Sequence, residues 1–170
     1  MNKKTILTHP FECIFDKHSK VLILGSFPSP KSRQNGFYYG HSANIFWKIL
    51  PLIIGKNEQL SDEKSKKTFL LRNHIAVWDV LHSCEIKGAD DSTIRNPIPN
   101  DFSDIFERAQ IKAVFTTGKK ATTLFEKLCA EKVGLNPIYL PSTSPANVRL
   151  HKSADFLERW KLVATALKDI

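Results

Sequence analysis

The sequence predicts an α/β fold: a three-layer sandwich in which a central four-stranded, mainly parallel sheet is flanked by helices. Three observations lead there. Four short runs, 21–24 (VLIL), 75–80 (IAVWDV), 113–116 (AVFT) and 137–140 (PIYL), have the length and the β-branched or aromatic content of buried strands. Stretches with apolar residues at helical spacing separate them, and strands that alternate with helices favour parallel pairing. Gly or polar turn residues follow most of the runs. The 170 residues show no internal repeat, low-complexity tract or linker-like block, so a single domain over 1–170 is expected.

The helices follow in order. One starts near Ala43 and carries Phe46, Ile49, Leu50 and Ile53 on one side; Pro51 should kink or end it, because proline lacks the N–H and clashes with the preceding turn. Residues 62–73 form a second, with Glu63, Lys64, Lys66 and Lys67 as its solvated face. Asn100 is placed to cap a third, with Phe102, Ile105, Phe106 and Ala109 on one side. A fourth runs over about 119–131 and buries Leu124, Phe125 and Leu128. Ser153 caps the last, which buries Phe156, Leu157, Trp160, Val163, Ala164 and Leu167. Residues 82–99 read as a long polar loop that contains Asp90 and Asp91 and names no role for them.

A net charge of +8 makes polyanions the expected partners, nucleic acid first. Cys13, Cys84 and Cys129 are odd in number and form no C-x-x-C, which argues against a disulfide framework or a single-chain iron–sulfur cluster. The apolar part of the N-terminus is too short for a signal peptide, and no apolar run approaches the roughly 20 residues that span a bilayer. A soluble, cytoplasmic protein with no membrane partner is expected. The histidines show no metal-binding spacing, so no metal is expected; the P-loop and G-x-S-x-G patterns are absent.

In open parallel sheets, ligands bind in loops beyond the carboxyl ends of the strands. Two such loops stand out: 25–45 after the first strand and 141–149 (PSTSPANVR) after the last. If those strands lie close together, the loops share one rim. Gly25 lets a backbone approach a ligand closely. Ser26, Ser29 and Ser32 offer hydroxyls to a phosphate or a base edge. Phe37, Tyr38 and Tyr39 offer a stacking wall, or else belong to the core. Asn44 can orient a water through its amide oxygen, or can make a local hydrogen bond at the helix start. His41 lies three residues before it. Asp79 is either a water-activating carboxylate or part of a strand-end packing motif. Gly118, Lys119 and Lys120 either hold a phosphate at a helix start or form a plain turn with two solvated charges.

The segments G-S-F-P-S (25–29), Y-Y-G-H-S-A-N-I-F-W (38–47) and L-P-S-T-S-P-A-N (140–147), with W-D-V-L between them, resemble the uracil-DNA glycosylase superfamily. The resemblance is greatest to its hypoxanthine-DNA (deoxyinosine) branch and covers most of the chain. It implies a DNA groove across one sheet edge and monofunctional hydrolysis, in which water attacks C1′ of the sugar, without metal or organic cofactor. It places the water-positioning residue at Asn44 and the base-stacking aromatic at Tyr39. Backbone donors near Ser26 and Phe27 would steady the departing base, His41 and Ser142 would contact it, and Ser29, Ser32, Lys119, Lys120, Thr143, Ser144 and Arg149 would meet the DNA.

The pattern also departs from its relatives. Phe27 stands where mismatch-uracil relatives have a catalytic asparagine, Ser42 replaces a proline, Ser142 replaces a histidine or asparagine, and Ala146 stands where a bulky wedge is usual. The expected substrate is DNA containing a deaminated base, hypoxanthine first, with uracil or xanthine as alternatives and a monomer as the acting unit. A non-catalytic nucleic-acid-binding module and a small-nucleotide hydrolase remain rival readings.

Overall fold

A computed structural model of the chain describes residues 5–169. Its centre is a sheet of four strands: β2 (Val21–Gly25), β3 (Ile75–Asp79), β6 (Ala113–Thr117) and β7 (Pro137–Leu140). All pair in parallel in the order β3-β2-β6-β7. The run VLIL is apolar throughout because β2 is central and covered on both faces, as parallel sheets require. Side chains alternate along a strand, so one run feeds two cores. Val21, Ile23, Ile75, Val77 and Phe115 pack with Phe46, Leu50, Phe69, Phe156 and Trp160. Leu22, Leu24, Ala76 and Val114 pack with Phe102, Ile105, Ala121, Leu124 and Phe125. These are the two outer layers of the expected sandwich.

The helices are α1 (Pro30–Asn35), α2 (Phe46–Ile53), α3 (Glu63–Arg72), α4 (Ser103–Arg108), α5 (Lys119–Leu128), the single turn α6 (Ala130–Val133) and α7 (Ala154–Lys168). Ser153 caps α7 through the Phe156 N–H, as the sequence suggests, and Asp62 and Ser65 close a capping box on α3. Leu157, Ala164 and Leu167 of α7 are only half-buried.

Several expectations need correction. Residues 82–99 are not a loop: β4 (Leu81–Lys87) and β5 (Asp90–Pro99) pair as an antiparallel hairpin, joined by β1 (Ile6–Thr8) into a second sheet of order β1-β4-β5. Register shifts along β4–β5 break the two-residue alternation that would reveal it in the sequence. The first loop contains a short helix, α1, with no apolar periodicity to mark it. Ser29 caps it, Pro30 opens it, and Gly36 closes it at φ 76°, a left-handed conformation suited to glycine. Helix α2 starts at Phe46 rather than near Ala43, and it ends two residues after Pro51. Asn100 does not cap α4: buried, it donates to the carbonyls of Asp79 and Leu81, while Asp101 accepts the Ser103 N–H. The helix expected over 119–131 breaks at Cys129, and Leu128 is exposed. None of the described helices is long and apolar enough to cross a membrane.

Candidate active site

The carboxyl ends of β2, β3 and β6 and the loops after β2 and β7 surround one cavity of about 280 Å³. The two loops do share a rim, although β6 lies between their strands. Ile45 N donates to Thr143 O at 3.2 Å, and Gly118 N donates to Leu140 O at 2.7 Å. The hairpin β4–β5 adds Ile86, Ala89 and Asp91 to the wall.

The floor is built around Gly25. Its register partner is Asp79, and a Cβ on Gly25 would stand 2.5 Å from Asp79 Oδ1, 3.4 Å from the Tyr39 hydroxyl and 3.6 Å from Thr117 Oγ1. Only glycine lets these three groups converge. His9 Nε2 donates to Asp79 Oδ2 at 2.7 Å, and both side chains are almost fully buried, at 2% and 6% exposure. The Phe11 N–H donates to His9 Nδ1, which fixes the ring. Asp79 lines the cavity, and its Oδ1 makes no side-chain hydrogen bond among the described residues.

Tyr39 forms one wall. Its ring lies flat on Phe46, with centroids 3.8 Å apart and planes 7° apart, and its hydroxyl is 3.3 Å from Thr117 Oγ1. Its backbone is left-handed at φ 51°, a strained conformation for an aromatic residue. Burial, and secondly the charge of Asp79, push its hydroxyl far above the usual tyrosine range, so it stays protonated. Tyr38 and Phe37 are core: Tyr38 donates its hydroxyl to Glu12 O, and its own carbonyl accepts the Trp47 indole N–H. Phe27 is also largely buried and lines the cavity, with the His9 ring at its edge 5.9 Å away.

His41 and Asn44 both line the cavity. The Ala43 N–H donates to His41 Nδ1, and the Phe46 N–H donates to Asn44 Oδ1 at 3.0 Å. The Asn44 oxygen therefore holds the start of α2 and keeps one lone pair for a second donor. Across the cavity, Ser142 Oγ accepts the Ser144 N–H, and the Ser142 carbonyl accepts from Asn147 and His151. Ser144 caps the 3₁₀ turn Pro145–Asn147. Thr143 is 1% exposed, and its Oγ1 has no hydrogen-bond partner, an orphaned polar atom in the wall of a cavity.

Other expected DNA contacts lie elsewhere. Ser29 and Ser32 border the cavity, but their hydroxyls are engaged in the α1 cap and in accepting the Gly40 N–H. Lys119, Lys120 and Arg149 lie outside the cavity lining, with Lys119 and Arg149 exposed. Three residues of the site carry no signal in the sequence: His9, Thr117 and Asp91. Asp91 Oδ2 accepts the Ser26 hydroxyl at 2.8 Å. Each joins the site through contacts between segments far apart in the chain, and no local motif announces them. Among the described residues no cluster of His, Cys, Asp or Glu is arranged to hold a metal ion.

Residues 14–168 match the sequence model of the family described as "Uracil DNA glycosylase superfamily". A protein of Methanosarcina acetivorans named "Hypoxanthine DNA glycosylase" is 36% identical over 155 residues, covering 90% of this chain and 95% of that one. A protein of the same name from Methanosarcina barkeri is 35% identical over 144 residues, covering 84% of this chain and 90% of its own. The solution NMR structure of a candidate uracil DNA glycosylase from M. acetivorans superposes with a TM-score of 0.80 at 32% identity, covering 96% of this chain and 99% of that one.

Proposed function

The chain belongs to the uracil DNA glycosylase superfamily, and from that premise we propose that it is a monofunctional DNA glycosylase that hydrolyses the N-glycosidic bond of deoxyinosine in DNA and releases hypoxanthine. The observation that carries the proposal is the cavity itself. A flat aromatic wall, Tyr39 backed by Phe46, faces a rim with Asn44 and Thr143 above a fixed carboxylate, Asp79. A planar base flipped from the stack fits such a slot, and a purine that pairs poorly costs least to flip.

In this reading DNA is held by the exposed Lys119 and Arg149, by the half-buried Lys120, and by Ser144 at the start of the 3₁₀ turn. The damaged nucleotide enters between the two loops and stacks on Tyr39. His41, Ser142 and the orphaned Thr143 hydroxyl reach the base or its sugar. Backbone groups at Ser26 and Phe27 lie where negative charge develops on the base as it leaves. As C1′ becomes cationic, Asp79 Oδ1, held in place by His9, supplies the opposite charge, and Asn44 orients the attacking water with its free lone pair. Among the described residues no lysine lines the cavity, and in this reading the reaction ends at the abasic site. The acting unit is a monomer.

The test is a panel of duplexes with a single deoxyinosine, deoxyuridine or deoxyxanthosine, with released base detected by mass spectrometry. Free hypoxanthine, and a strand that breaks only on alkali treatment, are expected. Release of uracil or xanthine alone would move the substrate within the family. No base release, with salt-sensitive DNA binding intact, would leave a binding module.

A further inference from the structure

We infer that Asp91 is the acid of the reaction, giving its proton to N7 of the departing purine; this rests on the glycosylase reading above. Asp91 enters the site only because β4–β5 folds as a hairpin, which carries Ile86, Ala89 and Asp91 to the cavity wall. Two carboxyl groups therefore line one cavity, and their partners differ. Asp79 receives the His9 N–H at 2.7 Å. Asp91 receives only the Ser26 hydroxyl, at 2.8 Å, and has no ion-pair partner among the described residues. Where two carboxyl groups share a site, the one without a nitrogen partner is the natural holder of the proton, and such pairs divide into acid and charge stabiliser.

The groups facing Asp91 come from several elements. Burial is the main effect and pushes its carboxyl above the ordinary range; the Ser26 hydrogen bond opposes this, the charge of Asp79 on β3 adds to it, Lys120 on α5 opposes it, and neighbouring Asp90 adds to it. Arg33 of α1 and the buried Cys84 thiol of β4 share the region, since the charges of both Asp91 and Arg33 reach Cys84. The Arg33 Nε is buried without a hydrogen bond.

The step balances. The C1′–N9 bond breaks and its electron pair stays with the base. The Asp91 proton passes to N7, so neutral hypoxanthine leaves and Asp91 becomes a carboxylate. Water adds its oxygen to C1′ and releases a proton to solvent, from which Asp91 is recharged. N7 is the most basic atom of this purine, and uracil has no counterpart. An acid at Asp91 thus favours a purine substrate and gives the hairpin a role in specificity.

The experiment is single-turnover excision from a deoxyinosine duplex at saturating enzyme, from about pH 4.5 to 8.5, for wild type, Asp91→Asn and Asp91→Glu, with 7-deaza-2′-deoxyinosine as a second substrate. The wild-type rate should fall with rising pH once the Asp91 proton is lost. Asp91→Asn should be slower by about 100-fold at low pH, the scale of lost general acid catalysis, and should lose that pH limb. Asp91→Glu should keep it, and the 7-deaza substrate should resist wild type. The inference is overturned if Asp91→Asn retains the limb, whether at the wild-type rate or uniformly slower, or if the 7-deaza base leaves as fast as hypoxanthine. Wild type that leaves deoxyinosine intact at every pH overturns the glycosylase reading along with it.

Discussion

Gly25 and Asp79 are register partners on β2 and β3, and the Asp79 carboxylate occupies the space a side chain at Gly25 would need. A Cβ there would lie 2.5 Å from Oδ1 of a side chain that cannot swing aside, because His9 holds its other oxygen. Gly25→Ala should therefore move the carboxylate. We expect a loss of about 1–3 kcal/mol of stability, as for other overpacked sites, and a fall in excision rate larger than the loss of fold. Urea unfolding and single-turnover rates measure the two separately.

His9 and Asp79 form a buried pair whose members are 70 residues apart in sequence. Removing one partner of such a pair leaves the other without its hydrogen bond at the floor of the cavity. His9→Ala should cost about 1–3 kcal/mol in unfolding free energy, the scale of a buried polar group left unsatisfied, whereas Asp79→Asn, which keeps the shape and can still hydrogen-bond, should cost less stability but more activity. Equal effects of both variants on stability alone would assign the pair a purely structural role.

Tyr39 has one face covered by Phe46, and the proposed base takes the other. Tyr39→Ala should weaken binding of a deoxyinosine duplex by about 1–3 kcal/mol, the usual value of one base–aromatic stack, while binding to an undamaged duplex changes little. Tyr39→Phe should behave like wild type in this assay. Titrations by fluorescence anisotropy would separate the two.

Arg149 is exposed beside the 3₁₀ turn at the rim. If it meets a phosphate, Arg149→Ala should weaken binding to all duplexes alike and reduce the slope of log K against log salt by about 1. An unchanged slope would remove it from the DNA surface. The same measurement applies to Lys119 and Lys120.

The parallel sheet is legible in the sequence because Val21, Leu22, Ile23 and Leu24 are all apolar and followed by glycine, a pattern set by burial on both faces. The amphipathic helices are legible from the helical spacing of their apolar residues, and the Ser153 cap by its residue type. The hairpin is hidden by its bulges, by Pro97 and Pro99, and by Asn96 at φ 49°, all of which disturb alternation. Helix α1 is too short and polar to have a pattern of its own. Within the site, Tyr39, Asn44 and Ser142 lie in local motifs and stand out. His9 and Asp91 do not, because each acquires meaning only from a partner on another segment, at a distance in sequence that no spacing rule covers. Asn44 is conspicuous by its motif, but the start of its helix is not: its oxygen accepts the Phe46 N–H, so it precedes the helix rather than sitting in its first turn.

The central claim is that Asn44 acts on the chemical step of base release. Its most direct test compares wild type with Asn44→Ala on one deoxyinosine duplex, with the single-turnover rate and the dissociation constant measured on the same preparations. The expected result is a rate lower by about 100-fold or more, with affinity within a few-fold of wild type. A variant that releases hypoxanthine at the wild-type rate, or that loses rate only in proportion to lost binding, would contradict it.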